Sequence, residues 1–349
     1  MTTTTRRRVG IAGALVGAAS AGIAAAAMAK RYAVGRIRLR PDTEASEPFG
    51  ELRGRERTLI TSDGKALHLE LDGPDDAPLT LVFCHGYCLN LESWHYQRRE
   101  LREQHRMVLW DQRSHGRSQR GAADDSTIDR LGEDLAEVIE QYVPGPCVLV
   151  GHSMGGMTIM ALADSRPELF GDKVRGVALL STSAGKLAEL TLGLPALASK
   201  VVHKLAPTTV SMLGRRGSLI DRTRHAGSDI AFLMTRYMGF GDSRNVSPTV
   251  VDFAESMIRA TPTEVVADFY PALMDHDKLS ALHVLDPVPT AIMVGDKDWL
   301  TPPEHSRAMA EALPKAQLTE VPDTSHLLQL ERPGVVNDAL RDLIKRVVL

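Results

Sequence analysis

Cysteine is scarce, with only Cys84, Cys88 and Cys147 in 349 residues. Three thiols cannot build a disulfide framework, and without a Cys-x2-Cys pair a cysteine-based zinc site is not expected. An excess of charge of either sign is also missing. The 41 Lys and Arg face 44 Asp and Glu, for a formal net charge of −3. That balance offers no broad basic surface and argues against nucleic acid as a partner. No internal repeat is found, and no low-complexity tract beyond the N-terminus. The 43% hydrophobic and 24% charged residues are ordinary globular values, which exclude disordered, collagen-like and coiled-coil classes. The length suits one large α/β domain with an insertion, or two domains.

The N-terminus departs from this ordinary composition. Arg6-Arg7-Arg8 precedes an uncharged run from Val9 to Ala29, closed by Lys30-Arg31. The run is about long enough to cross a ~30 Å hydrocarbon core as a helix, although Ala and Gly dominate it. The arginines and the small-x-small Ala27-Met28-Ala29 also fit an export signal. A loosely helical tail is the third reading. The expectation is membrane association through residues 9–29, or export, with a cytoplasmic location as the alternative. Residues 1–50 are set apart as this segment plus a linker, because Pro41 to Gly50 is rich in Asp, Glu, Ser and Pro.

From about Arg55 onward strand and helix patterns alternate, as in a mostly parallel sheet flanked by helices. Leu67 to Leu71 alternates like a half-exposed edge strand. Leu79–Cys84, Cys147–Val150, Val177–Leu180 and Thr290–Val294 are short apolar runs of the kind buried parallel strands require. Arg106–Trp110 and Gln317–Val321 are further candidates. Ser126-x-x-Asp129 can open a helix. Thr301-Pro302-Pro303-Glu304 reads as a capping box opening another, to about Leu313. The stretch between Ser181 and Pro289 far exceeds one crossover, so it holds an insertion. Ser247-Pro248 and Thr261-Pro262-Thr263-Glu264 mark helix starts within it. The expected division is a core in two parts, 51–184 and 286–349, around a helical lid at 185–285.

Gly151-His152-Ser153-Met154-Gly155-Gly156 joins a buried-strand pattern to a helical one. A serine on such a bend is held at a sharp turn, and flanking glycines avoid collision with neighbouring backbone. Ser153 is the candidate nucleophile. A hydroxyl needs a base, and His326, in the loop after the Gln317–Val321 strand, is placed to supply it. His305 falls in a helix and is expected at the surface; His203, His225, His276 and His283 fall in the insertion. The imidazole in turn needs a carboxylate. Asp298, after the Thr290–Val294 strand, is the choice and Asp296 the rival.

The chain order Ser153, Asp298, His326 resembles that of the α/β-hydrolase superfamily, the lidded serine esterases and lipases. The resemblance runs from about residue 55 to the end. It rests on His85-Gly86, on Asp111-Gln112-Arg113-Ser114-His115-Gly116-Arg117-Ser118, on the Ser153 bend, on Gly295-x-x-Asp298, and on His326 with Glu331-Arg332-Pro333. It implies an oxyanion hole made by the backbone N–H groups of Tyr87 and Met154. Ser114 and Ser325 stand where the family usually has glycine. His85 is expected to shape its loop, and Asp111, Arg113 and Arg117 to form a structural charge cluster.

The function expected is hydrolysis of carboxylic esters with lipid-like or otherwise hydrophobic acyl groups, without a metal or organic cofactor. Perhydrolysis and carbon–carbon bond hydrolysis use the same three residues. A non-catalytic module binding a hydrophobic ligand is the reading from another class. Epoxide hydrolases and haloalkane dehalogenases use a carboxylate nucleophile, and Ser153 argues against both.

Overall fold

The computed structural model describes residues 32, 34–189 and 228–348. An eight-stranded sheet forms its centre: β1 (Arg55–Ile60), β2 (Ala66–Asp72), β3 (Thr80–Cys84), β4 (Arg106–Trp110), β5 (Cys147–His152), β6 (Val174–Leu180), β7 (Thr290–Gly295) and β8 (Gln317–Val321). Their spatial order is β1-β2-β4-β3-β5-β6-β7-β8. The pairs β1–β2 and β2–β4 are antiparallel and all others parallel. The apolar runs bury side chains on both faces, as a covered parallel sheet demands. Val82, Cys84 and Leu149 join one cluster, while Leu81, Phe83, Val148 and Val150 join the other.

Helices cover both clusters. On the first face lie α1 (Ile128–Tyr142), through Leu135, Val138 and Ile139, and α2 (Met154–Ser165), through Ile159, Met160 and Leu162. The second face is closed by Trp94, by Leu101, and by Val336, Leu340 and Leu343 of the C-terminal helix Pro333–Val348. A helical insertion consistent with a lid separates β6 from β7. Its described helices are α3 (Ser228–Gly239), α4 (Pro248–Ala260) and α5 (Thr263–Met274). Phe232, Phe240, Phe253, Met257 and Phe269 are buried within or beneath it.

Several expectations change here. The edge strands are β1 and β8, and β2 lies inside the sheet. Arg55, Glu56, Arg57 and Thr58 are exposed and carry no apolar alternation to reveal a strand. The stretch read as a linker packs onto the insertion. Val34 and Ile37 are buried with Phe232, Phe240, Val250 and Val251, and Phe49 stacks on Phe253 with ring centroids 4.5 Å apart. Asp42 accepts hydrogen bonds from the Thr249 N–H at 3.2 Å, from Thr249 Oγ1 at 2.6 Å, and from Ser247 Oγ. A carboxylate from outside the helix thereby caps the first turn of α4.

The expected membrane association, and the membrane-associated or exported location built on it, is corrected. Among the described residues no helix is long and apolar enough to cross a membrane. The longest of them, Pro333–Val348, has 16 residues against the ~20 a span requires, and its buried face belongs to the sheet. Residues 9–29 lie outside the described residues.

Candidate active site

The site is assembled at the C-terminal edge of the parallel strands. Ser153 follows β5 directly with φ 52° and ψ −120° and serves as the N-cap of α2. That left-handed bend lifts the serine out of the strand and points the first amides of α2 past it. Close packing explains the glycines beside it. A Cβ on Gly155 would lie 2.0 Å from the Cys84 carbonyl oxygen, and one on Gly151 2.6 Å from that of Gly155.

The loop after β3 approaches the bend equally closely. A Cβ on Gly86 would lie 2.6 Å from His152 Nδ1 and 3.3 Å from Ser153 Cβ. This brings the loop that carries Tyr87 against the serine bend. Tyr87 anchors outward, its hydroxyl donating to the Val266 carbonyl of α5. His85 holds the loop from within. Its Nδ1–H donates to the Gly86 carbonyl at 2.8 Å, and its Nε2 accepts the Gln112 N–H at 2.9 Å. Burial pushes its pKa down to about 3, so the ring is neutral.

His326 sits in the loop after β8, with its Nδ1 2.9 Å from Asp298 Oδ2 and 3.1 Å from Oδ1. Asp298 also accepts the N–H groups of Leu300 and Thr301 and the Thr301 hydroxyl, each at 2.9 Å. Burial works against its charge. The neighbouring His326 and these hydrogen bonds outweigh it, and they hold the carboxyl below its ordinary range. Thr301 therefore does not make the expected capping box. Its hydroxyl is committed to the carboxylate, and the helix Pro303–Ala312 starts without a side-chain cap. Asp296 is exposed and, among the described residues, accepts only the Thr324 N–H, at 3.3 Å. Of the two rivals, it is Asp298 that meets His326.

His326 is brought to the bend through its neighbours. Its ring centroid lies 4.9 Å from that of His152, the residue before Ser153, and its carbonyl oxygen lies 2.8 Å from His152 Nε2. The insertion grips the same loop. Leu327 N–H donates to the Gly239 carbonyl at 2.9 Å. Ser325 Oγ lies 3.0 Å from the Met238 carbonyl and 3.1 Å from that of Lys297. Glu331 accepts the N–H groups of Ser325, Gly241 and Asp242. Nothing local in the sequence marks Ser325 for this task, because both of its carbonyl partners are distant in the chain.

The remaining candidates are placed elsewhere. His305 is not a free surface residue, as its Nδ1 lies 2.6 Å from Ser183 Oγ. His276 is buried, His283 is exposed, and His203 and His225 lie outside the described residues. Asp111 accepts the N–H groups of Leu91 and Arg117. Arg113 pairs with Asp134 and Asp63, whereas Arg117 pairs with Glu56 and Glu70, so the expected cluster is two separate networks. Glu56, His68 and Glu70 bring three donor atoms within 4.8 Å of one another. Arg117 bridges both carboxylates and Arg98 takes the second oxygen of Glu70 at 2.6 Å, so the positive charge there is already supplied.

With this geometry in hand, the comparisons with known proteins are specific. The alpha/beta hydrolase fold family profile matches residues 80–333. Epoxide hydrolase 1 of Caenorhabditis elegans is 33% identical over 119 residues, 34% of this chain and only 29% of that relative's length. The 3-oxoadipate enol-lactonase 1 of Acinetobacter baylyi is 27% identical over 79% of this chain and 92% of its own. Among solved structures, a thermophilic esterase from Thermogutta terrifontis with malate bound is 26% identical. It covers 84% of this chain and 98% of its own, with a TM-score of 0.64.

Proposed function

Because this chain belongs to the α/β-hydrolase family and is a serine-type hydrolase, we propose that it cleaves carboxylic esters, lactones included, through an acyl-enzyme on Ser153. His326 takes the Ser153 proton as the oxygen attacks the carbonyl carbon. The Tyr87 and Met154 N–H groups hold the oxyanion. His326 then protonates the leaving alkoxide, and later removes a proton from the water that releases the acid. Asp298, with its pKa lowered, stays ionised and fixes the ring with its proton on Nδ1.

The observation that carries this reading is the buried His326–Asp298 pair at 2.9 Å, set against a serine on a left-handed strand-to-helix bend. Met154, the residue after Ser153, belongs to a buried apolar cluster with Met157, Leu187, Val265 and Phe269, which supports a hydrophobic acyl chain. The enol-lactonase and the esterase named above support ester and lactone carbonyls more broadly. A second reading keeps the three residues and replaces water by hydrogen peroxide, or the ester by an activated carbon–carbon bond. The spread of reactions among the relatives favours giving it a direct assay.

A fluorophosphonate probe should label the wild-type chain and leave Ser153→Ala unlabelled, with ester turnover reduced roughly 10⁵- to 10⁶-fold. Labelling that survives the substitution would remove Ser153 from the reaction. A p-nitrophenyl series from acetate to laurate should favour medium or longer chains, and a sharp preference for acetate would overturn the hydrophobic acyl group. Faster acyl transfer to peroxide than to water would favour the second reading.

A further inference from the structure

His152 occupies the variable position of the serine bend, and nothing in the mechanism above uses its side chain. The ring is fully buried at the end of β5. Its Nε2 lies 2.8 Å from the main-chain carbonyl oxygen of His326. A carbonyl can only accept, so the proton sits on Nε2 and Nδ1 is bare. Among the described residues Nδ1 has no hydrogen-bond partner. It faces the α-carbon of Gly86, where an added Cβ would be 2.6 Å away. Trp94 packs edge-on to the ring with centroids 6.4 Å apart, and His326 lies tilted against it at 4.9 Å.

An apolar side chain would fill this space without stranding a buried nitrogen, and buried polar atoms without partners are uncommon enough to call for a cause. The cause is legible in what the other nitrogen holds. We propose that His152 is a positioning residue of the hydrolytic site: its Nε2–H fixes the His326 backbone, and its ring spaces that loop from Gly86. The nucleophile, the base and the Tyr87 oxyanion donor are then all referenced to one side chain. The nucleophile adjoins it in sequence, the base is hydrogen-bonded to it, and the oxyanion loop packs on it. This function cannot be performed from the Asp298 side, which orients the imidazole but leaves its backbone to the loop. Burial, with His326 nearby, pushes the His152 pKa down to about 3, so the donor proton on Nε2 and the lone pair on Nδ1 persist through the working range.

The inference rests on Ser153 and His326 acting as proposed, and the experiment separates the two failures. The variants are His152→Leu, His152→Gln and His152→Asn in the full chain, beside Ser153→Ala. The Gln side-chain nitrogen reaches the place of Nε2, whereas that of Asn reaches only that of Nδ1. Displacing a catalytic group by about 1 Å costs on the order of 100-fold, so His152→Leu and His152→Asn should lose about 10- to 100-fold in kcat. KM should stay within about threefold, and the fluorophosphonate labelling rate should fall in parallel. His152→Gln should recover at least about tenfold over His152→Asn. Wild-type kcat in His152→Leu, or equal activity in the Gln and Asn variants, would overturn the proposal. Should His152→Leu not fold, the Gln and Asn comparison decides alone. Labelling that persists in Ser153→Ala would instead strike at the nucleophile, on which the positioning role depends.

Discussion

Two aspartates two residues apart in the same loop have opposite fates, and solvent decides between them. Asp298 turns inward, accepts three hydrogen bonds besides the His326 contact, and has its charge stabilised against the burial that opposes it. Asp296 stays in water. Asp298→Asn should therefore lower kcat/KM by about 10³- to 10⁴-fold, because the amide favours the wrong imidazole tautomer. Asp296→Asn should change it less than about threefold, as expected of an exposed residue making one weak contact. Comparable losses in both would hand the carboxylate role back to the rival. Ser114 offers a second residue-level test. It adopts φ 67°, a region that favours glycine, while its hydroxyl accepts the Gly121 N–H at 3.0 Å. Ser114→Gly should be neutral or stabilising by up to about 1 kcal/mol in thermal unfolding, the relief of backbone strain offsetting the lost hydrogen bond.

Among the elements, the insertion depends on contacts from outside itself. The first turn of α4 has no cap from its own Ser247, and Asp42 supplies one from more than two hundred residues away. Asp42→Ala should cost about 1 kcal/mol, the usual worth of an N-cap, read as a lower midpoint in thermal or denaturant unfolding. Helix α5 lies nearer the chemistry, with Val265, Phe269 and Leu273 packed on Met154 and Met157. Phe269→Ala should destabilise by about 3–5 kcal/mol and loosen the packing around Met154, the residue after Ser153. Measuring stability and the acyl-chain optimum together distinguishes packing from a role in substrate fit. The elements also show where pattern reading succeeds. Strands β3 to β7 were legible because continuous apolar runs have few alternatives in a covered sheet. Strand β1 was not, because Arg55, Glu56 and Arg57 gain their pairing from β2 rather than from burial.

At the scale of the molecule, acid should act on many sites at once. His85 and His152 are pushed down to about 3 by burial, and His115 and His276 to about 4 by the same cause. The unfolded chain takes up protons at these rings as pH falls through about 6.5, while the folded chain refuses them. Stability is then complete above about pH 6.5 and shrinks as pH falls toward 4. Asp63, held low chiefly by its Arg113 hydrogen bonds, and Asp298 add a second loss as pH drops through the ordinary carboxylate range. The thermal midpoint should fall by at least about 5 °C between pH 7 and pH 5, and a flat profile would contradict the neutral buried rings.

The sequence by itself determined the class of fold and singled out the candidate nucleophile, because both are written in local pattern. Apolar runs specify buried strands, and a serine with a glycine two positions away on each side, between a strand pattern and a helical one, specifies a strand-to-helix bend. It also ordered the triad candidates along the chain, since the edge on which each strand ends follows from the alternation. Tertiary structure alone decided which aspartate meets His326, that Thr301 serves a carboxylate instead of a helix, and that residues 34–49 brace the insertion. It likewise placed His152 behind the base and Ser325 between the insertion and the Asp298 loop. Apart from the Thr301–Asp298 pair, three residues apart in one loop, these are directional contacts between residues far apart in the chain or on separate loops. Hydrogen bonds of that kind depend on ångström distances set by packing, to which periodicity and composition are blind.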